Sequence, residues 1–173
     1  MCIMSEKILP NPNRIDLDEA YLQMAEIWAR RSKANRKQVG ALIVKDKQII
    51  SDGYNGMPSG AVDDVCEFDG RQDEYSYRAQ WGTARPPMKL TDLITKPEVL
   101  HAESNALMKI SENGGVGAQG ATLYVTMSPC RECAKLIKQA KISRVVFREQ
   151  YRDTGGVDFL RQYGVQVDHL EKK

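Results

Sequence analysis

The sequence predicts an α/β fold, a three-layer αβα sandwich built on a mixed five-stranded sheet. Three observations carry that prediction. Short apolar runs alternate with longer segments of helical period in the order α-β-β-α-β-α-β-α-β. The first two runs are separated only by Asp46 and Lys47, so they form a hairpin, and a strand–helix alternation follows it. The 173 residues, 42% of them hydrophobic, suffice for a single domain over 1–173 with one core.

The elements follow in order. Residues 1–15 read as an irregular lead-in, because Pro10 and Pro12 oppose helix. Asp16 is placed to cap a helix on which Leu17, Ala20, Met24, Ile27 and Trp28 mark one face, with Arg30, Arg31 and Lys33 in its last turns. Residues 39–44 form a buried strand and residues 48–51 its hairpin partner. The segment 53–60, Gly-Tyr-Asn-Gly-Met-Pro-Ser-Gly, is a glycine-punctuated loop. Residues 61–98 are polar and read as one long irregular insertion, functional or disordered, with too few apolar residues for a second core. Residues 101–111 return to helical period and end at Asn113-Gly-Gly. Residues 121–126 are a strand, and 130–140 a helix entered through Pro129. Residues 144–147 are a strand, 156–163 a helix ended by Gly164, and 165–167 a final strand.

Composition narrows the functional classes. Lys plus Arg number 25 against 23 Asp plus Glu, a net charge of +2, which gives no electrostatic footprint for a long nucleic-acid strand. No apolar run approaches the roughly 20 residues of a membrane span, and the first residues lack a secretory stretch, so a cytoplasmic protein is expected. The cysteines stand at 2, 66, 130 and 133. Cys2 and Cys66 read as free thiols, while the Cys-x-x-Cys at 130 and 133 is a redox dithiol or half of a metal site.

Two short motifs decide between those readings: His101-Ala-Glu103 and Pro129-Cys130-Arg-Glu-Cys133. Each opens a predicted helix, whose unpaired N–H groups and dipole favour thiolate over thiol. Cys130 and Cys133 can both point at one ion from a first helical turn. With His101 they make three ligands, and three ligands leave zinc a position open to water. Glu103 is not needed as a ligand and can move protons. A thioredoxin-like dithiol explains neither His101 nor Glu103, so hydrolysis of a ring amine is the reaction the residues support.

His-x-Glu followed by Pro-Cys-x-x-Cys is the signature of zinc nucleobase deaminases. With residues 39–44, the 53–60 loop, His101-Ala-Glu-Ser-Asn-Ala106 and the segment 123–134, the sequence resembles the deoxycytidylate (dCMP) deaminases of the cytidine deaminase superfamily. The likeness covers about residues 17–60 and 99–168. It implies a cytidine-deaminase-like fold in which His101, Cys130 and Cys133 hold a catalytic Zn2+. Activated water would attack C4 of the cytosine ring while Glu103 protonates N3 and the departing ammonia, converting dCMP to dUMP for thymidylate synthesis. Asn55 would bond the sugar or base, Tyr151 would stack on the ring, the main chain at Ala102 and Ser128 would meet its polar edge, and Arg36 would take the 5′-phosphate. Lys33 and Lys37 remain alternatives for that last role.

The resemblance further implies a homo-hexamer, activated by dCTP and inhibited by dTTP. The effectors would bind with Mg2+ near the 53–60 loop, which makes Gly56, Ser59 and Asp63 allosteric candidates. Some viral relatives carry a second, structural zinc. Here Ala34 stands in the segment where they supply Cys, the insertion has no His, and none is expected. Glu112 falls where a related phage enzyme has a basic residue. The alternative substrate is a flipped base in tRNA or single-stranded DNA. It would use Tyr75, Tyr77, Arg78, Trp81 and Arg85 of the insertion as a basic, aromatic groove. A zinc-stabilised binding module without activity is a third possibility, and it leaves Glu103 unexplained.

Overall fold

A computed structural model describes residues 11, 13–71, 88–112 and 117–172. Cys2, most of the lead-in, the Asn113-Gly-Gly helix end and the groove candidates Tyr75, Tyr77, Arg78, Trp81 and Arg85 lie outside the described residues. The elements are α1 (Leu17–Ala29), β1 (Gly40–Lys45), β2 (Gln48–Tyr54), β3 (Glu67–Asp69), a 3-10 turn (Leu90–Asp92) and β4 (Leu93–Thr95). They continue as α2 (Ala102–Glu112), β5 (Thr122–Met127), α3 (Arg131–Gln139), β6 (Arg144–Glu149), α4 (Gly155–Gln162) and β7 (Gln166–His169).

The main sheet has five strands in the order β2-β1-β5-β6-β7, and it is mixed as expected. β1 runs antiparallel to both β2 and β5, whereas β5, β6 and β7 are parallel. Asp46 (φ 50°) and Lys47 (φ 62°) both turn through positive φ, the geometry that matches a two-residue turn to the twist of its strands. Alternate residues of the sheet enter two cores. Leu42, Val44, Tyr124 and Val146 meet α1 on one face. Ala41, Ile43, Leu123, Val125, Val145 and Phe147 meet α2, α3 and α4 on the other.

Three expectations need correction. The Asp16 side chain does cap α1, accepting from the Glu19 N–H at 2.9 Å, but the buried face is Tyr21, Leu22, Ala25 and Ala29. Leu17, Met24 and Ile27 are exposed. The reason lies at Gly40, where a Cβ would come 2.1 Å from the Ala25 carbonyl oxygen. The helix is seated so close to β1 that Ala25 and Ala29 must face Gly40, which turns Tyr21 and Leu22 inward with them. The helix also ends at Ala29, so Arg30, Arg31 and Lys33 follow it rather than fill its last turn.

Second, β2 runs on through Gly53 and Tyr54, which the sequence assigned to a loop. A Cβ at Gly53 would lie 2.3 Å from the Ala102 carbonyl oxygen, so α2 crosses this strand at close range. Third, the insertion is not wholly irregular. β3 and β4 pair antiparallel with Glu67 opposite Thr95, Phe68 opposite Ile94 and Asp69 opposite Leu93. Below that ribbon Ala34, Cys66 and Val99 form a small buried cluster with Met57 against it, and burial raises the Cys66 thiol pKa.

Candidate active site

The site lies at the carboxyl ends of the parallel strands β5 and β6, where α2 and α3 begin. His101 immediately precedes α2, and its carbonyl accepts from the Asn105 N–H (3.1 Å) and the Ser104 hydroxyl (2.8 Å). The Asn105 amide in turn donates to the Tyr54 carbonyl at 2.8 Å, fixing the helix start to the end of β2. Cys130 is the N-cap of α3, and Cys133 lies in its first turn. At Gly156 a Cβ would fall 2.0 Å from the Pro129 carbonyl oxygen, so the start of α4 backs directly onto the cysteine loop.

These supports bring three ligand atoms together. His101 Nδ1 is 3.5 Å from Cys130 Sγ and 3.3 Å from Cys133 Sγ, and all three atoms lie within 4.8 Å of one another. A tetrahedral zinc with Zn–S of about 2.3 Å and Zn–N of about 2.0–2.1 Å needs S···N separations of about 3.5 Å. The donor set therefore fits zinc in type, number and spacing. Among the described residues it is the one group of three or more His, Cys, Asp or Glu with such convergence. Hydrogen bonds from Cys133 and His101 pull the Cys130 thiol down to about 3, while hydrogen bonding to Cys130 and burial push Cys133 up. The Cys130 sulfur holds the His101 ring above its ordinary range. A bound cation deprotonates both thiols outright and removes the asymmetry between them.

Glu103 stands one residue into α2 and is 4% exposed. Burial raises its carboxyl pKa, opposed by its own backbone N–H and the His101 ring. A raised carboxyl beside a metal site suits a proton carrier.

A cavity of about 650 Å³ opens over this group. Besides His101, Cys130 and Glu103 it is lined by Asn55, Ala102, Ser128, Tyr151 and Arg36, so the structure brings every substrate candidate of the sequence to one place. Asn55 is also a brace. Its Oδ1 accepts from the Val39 N–H (2.8 Å) and its Nδ2 donates to the Lys37 carbonyl (2.9 Å). The buried Ser128 hydroxyl accepts from the Tyr151 N–H (2.8 Å) and Gln150 Nε2 (3.0 Å), holding the segment that carries the Tyr151 ring. The Arg152 guanidinium lies 5.6 Å over that ring.

The structure separates the three cations considered for an anion. Lys33 pairs with Asp64, and Lys37 pairs with Glu149 at 3.1 Å. Among the described residues the Arg36 guanidinium has no carboxylate partner, and it donates to Thr95 Oγ1 at 3.3 Å. Gly56, Ser59 and Asp63 do not line this cavity. Gly56 exchanges two hydrogen bonds with Leu100 (3.1 and 2.9 Å), and Asp63 pairs with Lys96 at 2.7 Å. Sequence reasoning missed Glu67, a buried carboxylate in the cavity wall. A single Glu inside a polar insertion carries no pattern that could have marked it.

Comparison with known proteins gives a consistent set of relatives. The family described as the cytidine and deoxycytidylate deaminase zinc-binding region matches residues 15–149. The chain is 32% identical over 173 residues to the deoxycytidylate deaminase of Enterobacteria phage T4, covering 88% of this chain and 89% of that one. It is 36% identical over 142 residues to the Homo sapiens deoxycytidylate deaminase, covering 81% and 69%. Among solved structures, the dCMP deaminase from the cyanophage S-TIM5 in complex with dCMP and dUMP aligns with a TM-score of 0.72 and 35% identity, over 94% of this chain and 100% of that one. A tRNA A34 deaminase, at 23% identity and a TM-score of 0.51, shares the fold alone.

Proposed function

The chain belongs to the cytidine and deoxycytidylate deaminase zinc-binding family, and from that premise we propose that it hydrolyses dCMP to dUMP and ammonia. The observation that carries the reading is one cavity holding a His/Cys/Cys set fit for zinc, a buried carboxylate beside it and an arginine whose guanidinium has no carboxylate partner among the described residues. Chain 1–173 is taken as one deaminase domain.

Zinc held by His101, Cys130 and Cys133 would supply the Lewis acidity that makes water nucleophilic near neutral pH. The rest falls to the chain's own residues. Glu103 takes the proton of the attacking water, delivers it to N3 of the ring and carries the next to the amino group leaving C4 as ammonia. Tyr151 covers the ring, held by the Ser128 hydroxyl. The main chain at Ala102 and Ser128 meets the polar edge of the base. Asn55 keeps one amide hydrogen and one lone pair beyond its two loop bonds, and these serve the sugar. Arg36 takes the 5′-phosphate, since Lys33 and Lys37 are already neutralised.

The finer assignments rest on the family resemblance: a homo-hexamer, dCTP as activator and dTTP as inhibitor, each bound with Mg2+ near Gly56, Ser59 and Asp63; a cytoplasmic location stays the reading of the sequence. Gly56 is bridged to Leu100, the neighbour of His101, which gives that loop a route to the site. A metal ion at Asp63 would have to displace Lys96. The nucleic-acid alternative is not favoured: its groove candidates lie outside the described residues, and the tRNA deaminase shares the fold alone.

The test offers zinc-loaded protein dCMP, CMP, deoxycytidine, cytosine and a cytosine-containing oligonucleotide, with and without dCTP or dTTP plus Mg2+. Turnover of dCMP is expected, and a change on adding effector supports the regulatory reading. Turnover of the oligonucleotide with dCMP left intact would overturn the proposal.

A further inference from the structure

We propose that the β3–β4 ribbon of the insertion is a clamp that presets Arg36 for the substrate phosphate, with Glu67 as its positioning residue. The inference rests on the dCMP reading above. Glu67 is 5% exposed, and its carboxylate grips the backbone of the Arg36 loop. Oε1 accepts from the Asn35 N–H (3.0 Å) and the Arg36 N–H (3.2 Å), while Oε2 accepts from the Asn35 N–H (3.2 Å) and Asn35 Nδ2 (3.4 Å). Consecutive backbone N–H groups turned to one side form an anion-binding concavity, and here a side-chain carboxylate fills it.

The directly opposed residue on β4 is Thr95. Its hydroxyl accepts from the Arg36 guanidinium at 3.3 Å. One cross-strand pair therefore holds both ends of the same arginine, the backbone through Glu67 and the side chain through Thr95. Both residues line the cavity that contains His101 and Glu103. Thr95 is neutral, so it orients the guanidinium without satisfying its charge. The arginine is ordered beforehand but left electrostatically open to a dianion. A charge fixed in advance loses less conformational freedom on binding.

The proposal makes a coupling prediction. If Glu67 acts only through Arg36, losing it matters only while Arg36 is present. Steady-state kcat and KM for dCMP would be measured on zinc-loaded wild type, Arg36→Ala, Glu67→Ala, Thr95→Val and the Arg36→Ala/Glu67→Ala double variant. Glu67→Ala is expected to raise KM about tenfold or more with kcat within about threefold, because uniform binding rather than the chemical step is lost. Thr95→Val should raise KM by a smaller factor. In the Arg36→Ala background, Glu67→Ala should raise KM less than about twofold further.

Thermal melts check folding. If Glu67→Ala does not fold, the same cycle is run with Glu67→Gln, which keeps the volume and one acceptor oxygen, and with Thr95→Val. Multiplicative KM effects of the two sites, or a fall in kcat at constant KM, would overturn the clamp. A zinc-loaded wild type inert toward dCMP would instead overturn the reading of the substrate, and it would do so before any variant is compared.

Discussion

At the scale of single residues, the chemistry was legible because it is encoded locally. Two motifs of three and five residues contain the His/Cys/Cys cluster and the proposed proton carrier, and each places its side chains at a helix start, although the fold is needed to bring the two starts together. Glu103 tests that logic most directly. Glu103→Gln preserves volume and burial but cannot accept the water proton. Its kcat for dCMP should fall by about 10²–10⁴-fold while zinc content, measured by atomic absorption, stays at one per chain. A variant near the wild-type rate would remove Glu103 from proton transfer, and one that loses its zinc would make it a structural support. Glu67 shows the opposite case. Its meaning depends on the loop at Asn35 and Arg36, brought beside it only by the fold, and no spacing rule connects them.

At the scale of elements, the hairpin and the strand–helix alternation could be read because each is a periodic window closed by turn residues. The ribbon could not: β3 and β4 are three residues each, too short to show a period, and they pair across a long intervening stretch. The face of α1 was misread because the helix carries two candidate apolar stripes, and the one with Ala25 and Ala29 wins because they alone fit against Gly40. The polar side of α1 fastens it to the sheet. Arg144 donates to both Asp18 carboxylate oxygens (3.0 and 2.7 Å), and the Tyr124 hydroxyl to one of them (2.6 Å). The Arg144 hydrogen bonds hold the Asp18 pKa below its usual value despite partial burial.

A carboxylate with a depressed folded pKa adds stability above its unfolded pKa of about 3.9, and that contribution is lost as pH falls through the lower folded value. Asp18→Asn should therefore cost about 1–2 kcal/mol at pH 7, a Tm fall of roughly 2–8 °C. The gap from wild type should narrow and then close as melts are taken to pH values below the ordinary carboxylate range. A gap that persists in acid would assign the loss to packing. Gly156→Ala makes a second element-scale test, since the added methyl must drive α4 off the Pro129–Cys130 backbone. It should lower Tm by several degrees and weaken zinc binding, whereas Gly117→Ala, facing open space, should change neither. Equal behaviour of the two glycines would remove the close approach as a support of the metal site.

At the scale of the whole molecule, the zinc set joins the start of α2 to the first turn of α3, and both helices also pack into the core on the same face of the sheet. Cys133 and Ala102 belong to that apolar cluster together with residues of β1, β5, β6 and α4. The site is thus attached to a fold that has a hydrophobic core of its own, unlike a zinc finger, whose core is too small to stand without metal. Zinc that binds only the folded chain adds RT ln(1 + [Zn]/Kd), about 4 kcal/mol when free zinc is a thousandfold above Kd. That corresponds to roughly 8–16 °C in Tm for a chain of this size. Chelated protein should accordingly lose deaminase activity yet keep its far-UV circular dichroism and a cooperative melt, at a Tm lower by that order. Restoring zinc should return both Tm and turnover, with Tm rising logarithmically in free zinc. Collapse of the helical signal on chelation would mean that α2 and α3 hold their places through the metal rather than through the apolar contacts of Ala106, Leu107, Ala134 and Ile137.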